Sequence, residues 1–265
     1  MRQPRWFNSR RSGARPPRRP LRDAAPFTYW LLIANVLIFG VTLFHPAVDQ
    51  LFLRWGLTPG ELTGDFGLHA LATVFTSMFL HGSLMHLVLN MAILWSLGRM
   101  VEEMVGGRRF VVLYLLGGIG AAALQIAFGP GSLVPMIGAS GAISALIGAS
   151  VMMIPSQKMW VVTPFTLFIP ITLKMRTLGW AFVVLQVVGL FGADPFGGGV
   201  AYAAHLGGYI AGFYAADWLT MGRRRRSGPP PTEPVVRPGP PPSSGFRGFV
   251  VTDAQGRRFD FHEPK

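Results

Sequence analysis

The chain has 265 residues, half of them apolar and only 14% charged, whereas about 25% are charged in an average soluble domain. The charged residues crowd the two ends and leave long apolar stretches between them, a pattern typical of a protein that faces lipid. The absence of cysteine excludes disulfides, thiolate metal sites and a cysteine nucleophile. Because the net charge of +12 comes mainly from the tails, it favours contact with anionic lipid headgroups and control of topology over nucleic-acid binding.

Both ends of the chain are rich in Arg and Pro. Residues 1–26 contain a single acidic residue and cannot bury enough apolar surface to fold alone, so we expect a disordered basic cytoplasmic tail. This segment has neither the apolar region nor the cleavage site of a signal peptide. Residues 222–265 predict a second basic, Pro-rich cytoplasmic tail. Its stretch 248–261 alternates loosely like a hairpin, but composition favours disorder there too.

Residues 27–221 contain the apolar segments. Each is close to the roughly 20 residues that cross the hydrocarbon core, and we place them near 28–45, 84–101, 109–128, 136–154, 174–192 and 199–220. Two more apolar stretches, 68–80 and 159–172, are interrupted by hydroxyl side chains or prolines and predict interfacial or re-entrant segments. The sequence therefore predicts an all-α, multi-pass membrane protein with six transmembrane helices.

The distribution of basic residues predicts the orientation in the membrane. If the N-terminus is cytoplasmic, Arg54 is the single basic residue, among 24 Lys and Arg, in the outer loops. Cytoplasmic loops are normally enriched in Lys and Arg. We therefore expect both termini to be cytoplasmic, and we take the membrane to be a prokaryotic plasma membrane.

A few polar side chains fall inside the predicted spans, where such residues are functional candidates by default. His86 and Asn90 lie one turn apart in the second span, Ser140 opens the fourth, and His205 lies in the sixth. These three spans enter from the outer side, and all four residues come within about 10 Å of the outer surface at 1.5 Å of rise per residue. The topology thus places them in one shallow layer.

The residue types at this depth suit acyl transfer. A serine hydroxyl becomes a good nucleophile when a neutral imidazole removes its proton. The oxyanion of the intermediate needs hydrogen-bond donors, which the Ser140 amide, His86 and Asn90 can supply. The single carboxylate in a span, Asp217, is three turns from His205, so we predict a Ser-His dyad rather than a triad.

Each motif taken alone has a structural interpretation. The small residues Gly138 and Gly141 around the serine can serve close helix packing, as in Gly-x-x-x-Gly motifs. The pair His86 and Asn90 can form interhelical hydrogen bonds, and His205 can be a packed core histidine. The joint pattern favours a catalytic site.

Three stretches together resemble the rhomboid family of intramembrane serine proteases. They are His81-Gly-Ser-Leu-Met-His86-Leu-Val-Leu-Asn90, Gly138-Ala-Ser140-Gly141 and Gly199-Val-Ala-Tyr-Ala-Ala-His205-Leu-Gly-Gly208. The resemblance covers about residues 28–220 and implies a six-helix rhomboid-like bundle. It also implies that Ser140 is the nucleophile, that His205 is the base, and that His86, Asn90 and the Ser140 amide form the oxyanion hole. His81, Gly138 and Gly141 would support them.

The resemblance further implies that the loop 46–80 is partly inserted in the membrane. The fifth span would be a mobile substrate gate, with Trp180 and Phe182 as plausible lining side chains. Two positions depart from the family pattern. Leu71-Ala72 stands where many members have a Trp-Arg or similar pair. Ser144 stands where many have an aromatic side chain stacked on the catalytic histidine.

As a protease of this type, the chain would act on single-span membrane proteins in the bilayer, as a serine endopeptidase without a metal or other cofactor. The sequence contains no His-Glu-x-x-His zinc motif and no facing pair of aspartates in its spans. Two rival functions are open. A catalytically silent rhomboid-like scaffold is disfavoured because both Ser140 and His205 are present. A solute transporter is disfavoured because the two halves lack internal symmetry.

Overall fold

The computed structural model describes residues 20–64, 67–161, 170–192, 200–224, 248–252 and 258–262. The chain divides into two compact units, residues 1–220 and 221–265. The first unit is mostly helical. In chain order its helices are α1 (Leu21–Ala24), α2 (Pro26–Leu43), α3 (Val48–Trp55), α4 (Pro59–Gly64), α5 (Leu68–Thr76), α6 (Leu84–Ile93), α7 (Arg99–Val105), α8 (Gly107–Phe128), α9 (Ser140–Met153), α10 (Met175–Leu190) and α11 (Tyr202–Arg224).

Three helical stretches in the described part of the chain are long and apolar enough to cross a membrane, judged by length and composition. They are Pro26–Leu43, Leu84–Val105 and Gly107–Phe128, which correspond to the first three predicted spans. The second of them combines α6 and α7 through a π-helical segment, Leu94–Gly98. The shorter apolar helices α9 and α10 coincide with the fourth and fifth predicted spans, and α11 coincides with the sixth.

Two β-hairpins show that the protein is not purely helical. Strand β1 (Lys158–Val161) pairs with β2 (Ile171–Lys174) in antiparallel register, where an interfacial or re-entrant segment was predicted. In the second unit, β3 (Gly248–Thr252) pairs with β4 (Arg258–His262). The prediction of disorder is therefore wrong for these residues. A loosely alternating stretch in the sequence can thus pair as a hairpin even in a Pro-rich tail.

Helical structure also begins inside the predicted N-terminal tail. Residues 20–26 contain α1 and the start of α2, and Leu21 and Ala25 are buried. The carboxylate of Glu102, on α7, accepts hydrogen bonds from the backbone N–H groups of Phe27 and Thr28 and from the Thr28 hydroxyl, at 3.1, 2.8 and 2.8 Å. This anion satisfies the unpaired N–H groups at the start of α2. The rest of the predicted tail, residues 1–19, lies outside the described residues.

Helix α9 is central in the first unit and is surrounded by other helices. Of its 14 residues, nine are buried: Gly141, Ala142, Ile143, Ser144, Ala145, Leu146, Gly148, Ala149 and Ser150. At about 21 Å it is shorter than the roughly 30 Å hydrocarbon core. Helix α9 contacts other helices on most sides. Its many small residues, Gly, Ala and Ser, allow those helices to pack closely against it.

Small residues bring the backbones of α8, α9 and α11 into direct contact. A Cβ at Gly208 would overlap the Gly141 carbonyl oxygen, and one at Gly212 would overlap the Ala145 carbonyl oxygen. On the other side of α11, Gly207 contacts the backbone of Gly120 on α8. These contacts fix the separation of the helices that deliver Ser140 and His205.

Candidate active site

Ser140 is the first residue of α9, and long-range backbone contacts hold the segment that leads to it. Leu57 and Met136 exchange two backbone hydrogen bonds, of 2.9 and 2.7 Å, and the Gly138 N–H donates to the Ser77 carbonyl oxygen over 2.8 Å. Gly138 has a φ of +125°, a backbone conformation that favours glycine. As a first-turn residue, Ser140 has a backbone N–H without an intrahelical acceptor. The loop therefore presents a hydroxyl and a free amide at one point.

His205 lies one turn into α11 and reaches Ser140 across the α9–α11 contact. Its Nε2 atom is 2.8 Å from Ser140 Oγ, and its Nδ1 atom is 2.8 Å from Oε1 of Gln186 on α10. A carboxamide oxygen only accepts hydrogen bonds. Because Nδ1 donates to it, Nε2 has a free lone pair that faces the serine hydroxyl. This polarity is the one required for proton transfer from Ser140 to His205.

An aromatic side chain from α10 lies beside the histidine. The ring centroid of Phe182 is 6.3 Å from that of His205 and 5.8 Å from that of Tyr209. Ser144, at the position where the resemblance implies an aromatic residue, instead donates its hydroxyl to the Ser140 carbonyl oxygen over 2.7 Å. The aromatic neighbour of His205 thus comes from another helix. Trp180, the second residue predicted to line the gate, is 70% exposed.

His86, on α6, lies close to Ser140. The Ser83 hydroxyl accepts the His86 N–H over 3.1 Å and caps the helix. A Cβ at Gly138 would lie 2.8 Å from both Cε1 and Nε2 of His86 and 3.6 Å from Ser140 Oγ. The His86 ring, Gly138 and the serine are therefore immediate neighbours, and glycine is required for the ring to approach.

The remaining predicted residues contact His86 or helix α8. Asn90 is buried, and its side-chain nitrogen donates to the His86 carbonyl oxygen over 2.9 Å. His81 is buried edge-on against His86, with ring centroids 5.0 Å apart. Burial, with a smaller effect of His86, lowers the pKa of His81 to about 4. Gly141 faces α8, where a Cβ would lie 2.5 Å from that of Ala121.

Gln186 is the site residue that sequence reasoning missed. It is buried, with 3% of its surface exposed, and apart from Arg176 and Thr177 in the first turn it is the polar side chain of an otherwise apolar helix. That isolation is a usable signal, because a carboxamide inside an apolar span is expected to have a specific partner. Among the described residues, no group of three or more His, Asp or Glu side chains could hold a metal ion.

The chain is similar to a family of known proteins. Residues 69–222 match the model of the Rhomboid domain. The chain is 30% identical over 207 residues to the rhomboid protease GluP of Bacillus subtilis, covering 74% of this chain and 35% of that protein. It is 29% identical over 206 residues to the rhomboid protease GlpG of Salmonella choleraesuis, covering 77% of this chain and 67% of that protein.

A third relative is the mitochondrial presenilin-associated rhomboid-like protein A of Danio rerio, which is 33% identical over 140 residues, or 52% of this chain and 35% of that protein. The chain thus spans about a third of the length of the first and third relatives. Together with the apolar helices, the matches identify a membrane protein. Because mitochondrial proteins are among the relatives, the matches do not support the prediction that this chain lies in a prokaryotic plasma membrane.

Proposed function

We propose that this chain, which belongs to the rhomboid family, is an intramembrane serine protease with Ser140 as nucleophile and His205 as general base. The observation that carries the proposal is the 2.8 Å contact between Ser140 Oγ and His205 Nε2. These atoms come from helices 65 residues apart in sequence. A nucleophile and a base in hydrogen-bond contact, with the base oriented by a third group, form the minimal unit of this chemistry.

The reaction follows from that geometry. The Ser140 hydroxyl proton moves to His205 Nε2 while Oγ bonds to the carbonyl carbon of the scissile peptide and the carbonyl oxygen becomes an oxyanion. Collapse of this intermediate breaks the C–N bond, and the Nε2 proton passes to the leaving amine. Water, activated in turn by His205, then hydrolyses the acyl-enzyme and regenerates Ser140.

Three donors around the nucleophile can stabilise the oxyanion. The Ser140 backbone N–H is free at the start of α9, and the His86 ring adjoins Ser140. Asn90 uses its amide nitrogen for the His86 carbonyl, but an amide nitrogen has two hydrogens, and the second is available to an oxyanion. These roles belong to the proposal.

The proposed enzyme crosses the membrane six times, through α2, the α6–α7 stretch, α8, α9, α10 and α11, with both tails on the more basic side. The site then lies near the opposite face, and substrates are single-span membrane proteins cut close to that face. A helical peptide group is already hydrogen-bonded, so the scissile region must unwind. Reporters with Gly or Pro near the scissile bond should be cut faster than reporters with an uninterrupted Leu helix, and equal rates would contradict this specificity.

The direct test is cleavage of a tagged single-span reporter in proteoliposomes. Ser140→Ala and His205→Ala should each reduce kcat by at least about 10³-fold, since members of a nucleophile–base unit act together. Ser150→Ala and His45→Ala are matched controls. Ser150 lies on the same helix with its hydroxyl bonded to the Leu146 carbonyl oxygen, and His45 is an exposed histidine. Cleavage that persists in Ser140→Ala would refute the assignment.

A further inference from the structure

We infer that Gln186 is a positioning residue that holds His205 in the tautomer and orientation needed for catalysis. This inference rests on the proposed function of Ser140 and His205. It adds a third member to the predicted dyad, and this member is a neutral carboxamide rather than a carboxylate. The contact that motivates it is the 2.8 Å separation of Gln186 Oε1 and His205 Nδ1.

The arrangement of α10 against α11 places Gln186 at this point. Gly179, Phe182, Gln186 and Gly189 follow one another at spacings of three, four and three residues, which is one face of a helix. A Cβ at Gly189 would overlap the Tyr202 ring, and one at Gly179 would lie 3.0 Å from the Tyr209 hydroxyl.

Contacts on both sides of Gln186 therefore fix the register of the two helices. On α11, Tyr202 lies about one turn before His205 and Tyr209 about one turn after it. Gly189 lies against the Tyr202 ring, while a Cβ at Gly179 would meet Val151 of α9 and the Tyr209 hydroxyl. These glycines let the backbone of α10 approach closely enough for the Gln186 side chain to reach the imidazole. The Phe182 ring lies beside the imidazole, with centroids 6.3 Å apart and planes tilted by 39°, so His205 has an aromatic neighbour and a hydrogen-bond acceptor from the same helix.

A neutral imidazole has one N–H, and its position decides whether it can act as a base towards Ser140. With the proton on Nε2, the ring would donate to the serine hydroxyl and could not accept its proton. The Gln186 oxygen stabilises the proton on Nδ1 and so leaves the Nε2 lone pair free. It also restrains rotation of the ring about its Cβ–Cγ bond.

The test compares the steady-state kinetics of full-length Gln186→Met and Gln186→Glu with the wild type on the same reporter in proteoliposomes. Met has a similar volume but no acceptor at this position, whereas Glu keeps an oxygen beside Nδ1. We expect Gln186→Met to lower kcat about tenfold or more with KM unchanged, since a correctly placed base contributes about 10²–10⁴-fold. We expect Gln186→Glu to recover most of that loss.

A second readout separates the imidazole from substrate entry. The rate of Ser140 labelling by a small fluorophosphonate depends on the base but not on docking of a substrate helix, so it should fall in Gln186→Met in parallel with kcat. Gln125→Leu is the matched control. Gln125 accepts the Ala204 N–H over 3.2 Å, so this variant removes a glutamine contact to α11 that does not touch the histidine. It should retain the wild-type labelling rate.

The outcomes distinguish this inference from the proposed function. If the wild type neither cleaves nor labels, the proposed function fails. If Ser140→Ala is inactive while Gln186→Met cleaves and labels at the wild-type rate, the positioning role of Gln186 is overturned. Should Gln186→Met fail to fold, Gln186→Asn provides the same test. Its amide is withdrawn from Nδ1 by one methylene, so it should show the same loss, and a wild-type rate would again overturn the role.

Discussion

Substitution of Gly208 by Ala tests whether the close contact of α9 and α11 sets the catalytic geometry. A Cβ at this position would overlap the Gly141 carbonyl oxygen and lie 3.3 Å from the Ser144 Cβ. Atoms in van der Waals contact need about 3.5–4.0 Å, so the helices must separate locally by about 1 Å. Because Gly141 follows Ser140 directly, this displacement is transmitted to the serine.

The expected effect is much larger on activity than on stability. Separation by about 1 Å takes Ser140 Oγ and His205 Nε2 from 2.8 Å beyond the range of a useful hydrogen bond. A misplacement of this size can cost about 10²-fold in rate. Overpacking of a well-packed interface typically costs about 1–3 kcal/mol of unfolding free energy. We therefore expect Gly208→Ala to remain folded but to lose about 10²-fold in kcat.

The assay pairs reporter cleavage with unfolding of the protein in mixed micelles. Gly40→Ala is the matched control, because it adds the same methyl group to a helix where no atom lies within 4 Å of the new Cβ. This variant should keep wild-type activity and gain up to about 1 kcal/mol from helix propensity. Wild-type cleavage by Gly208→Ala would refute the idea that backbone contact fixes the distance between Ser140 and His205.

Three further substitutions test contacts away from the nucleophile. Glu102→Gln should lower the free energy of unfolding by about 2 kcal/mol or more, since it weakens the buried, charge-assisted hydrogen bonds to Phe27 and Thr28. Glu103→Gln is the control: it removes only an exposed ion pair with Arg99 and should cost less than about 1 kcal/mol. Denaturant titration measures both changes. Arg109→Met removes a 2.8 Å hydrogen bond to the Leu219 carbonyl oxygen near the end of α11 and should cost about 1–2 kcal/mol, with the exposed Arg108→Met as control. His81→Phe should reduce the loss of stability on acidification. Because the folded-state pKa of His81 is about 4, below the usual 6.5, its contribution is lost as the pH falls from 6.5 towards 4. An unchanged pH dependence would contradict this.

The positions of the long apolar helices could be predicted from sequence because they depend on local properties. Apolar length predicted the α2, α6–α7 and α8 stretches to within a few residues, and the fourth apolar segment, placed near 136–154, contains α9 (Ser140–Met153). His86, Ser140 and His205 could be grouped because alternate spans enter the membrane from the same side.

The features that sequence reasoning missed depend on relations between distant segments. Whether Gln186 meets His205 is decided by the rotation and register of α10 against α11, which the glycine contacts set and which periodicity alone does not reveal. The aromatic neighbour of His205 comes from Phe182 instead of position 144 for the same reason. The hairpin of β3 and β4 was missed because composition outweighed a short alternating pattern.

The long sequence separation of the contacts at Ser140 has a consequence for biosynthesis. The segment before this residue is pinned by Leu57 and Ser77, and its proposed base is 65 residues further on. At about 5–20 residues per second, some 3–13 s pass between synthesis of Ser140 and synthesis of His205. During that interval the nascent chain carries a nucleophile without a base. The proposed protease is therefore inactive while this part of its own chain is being synthesised.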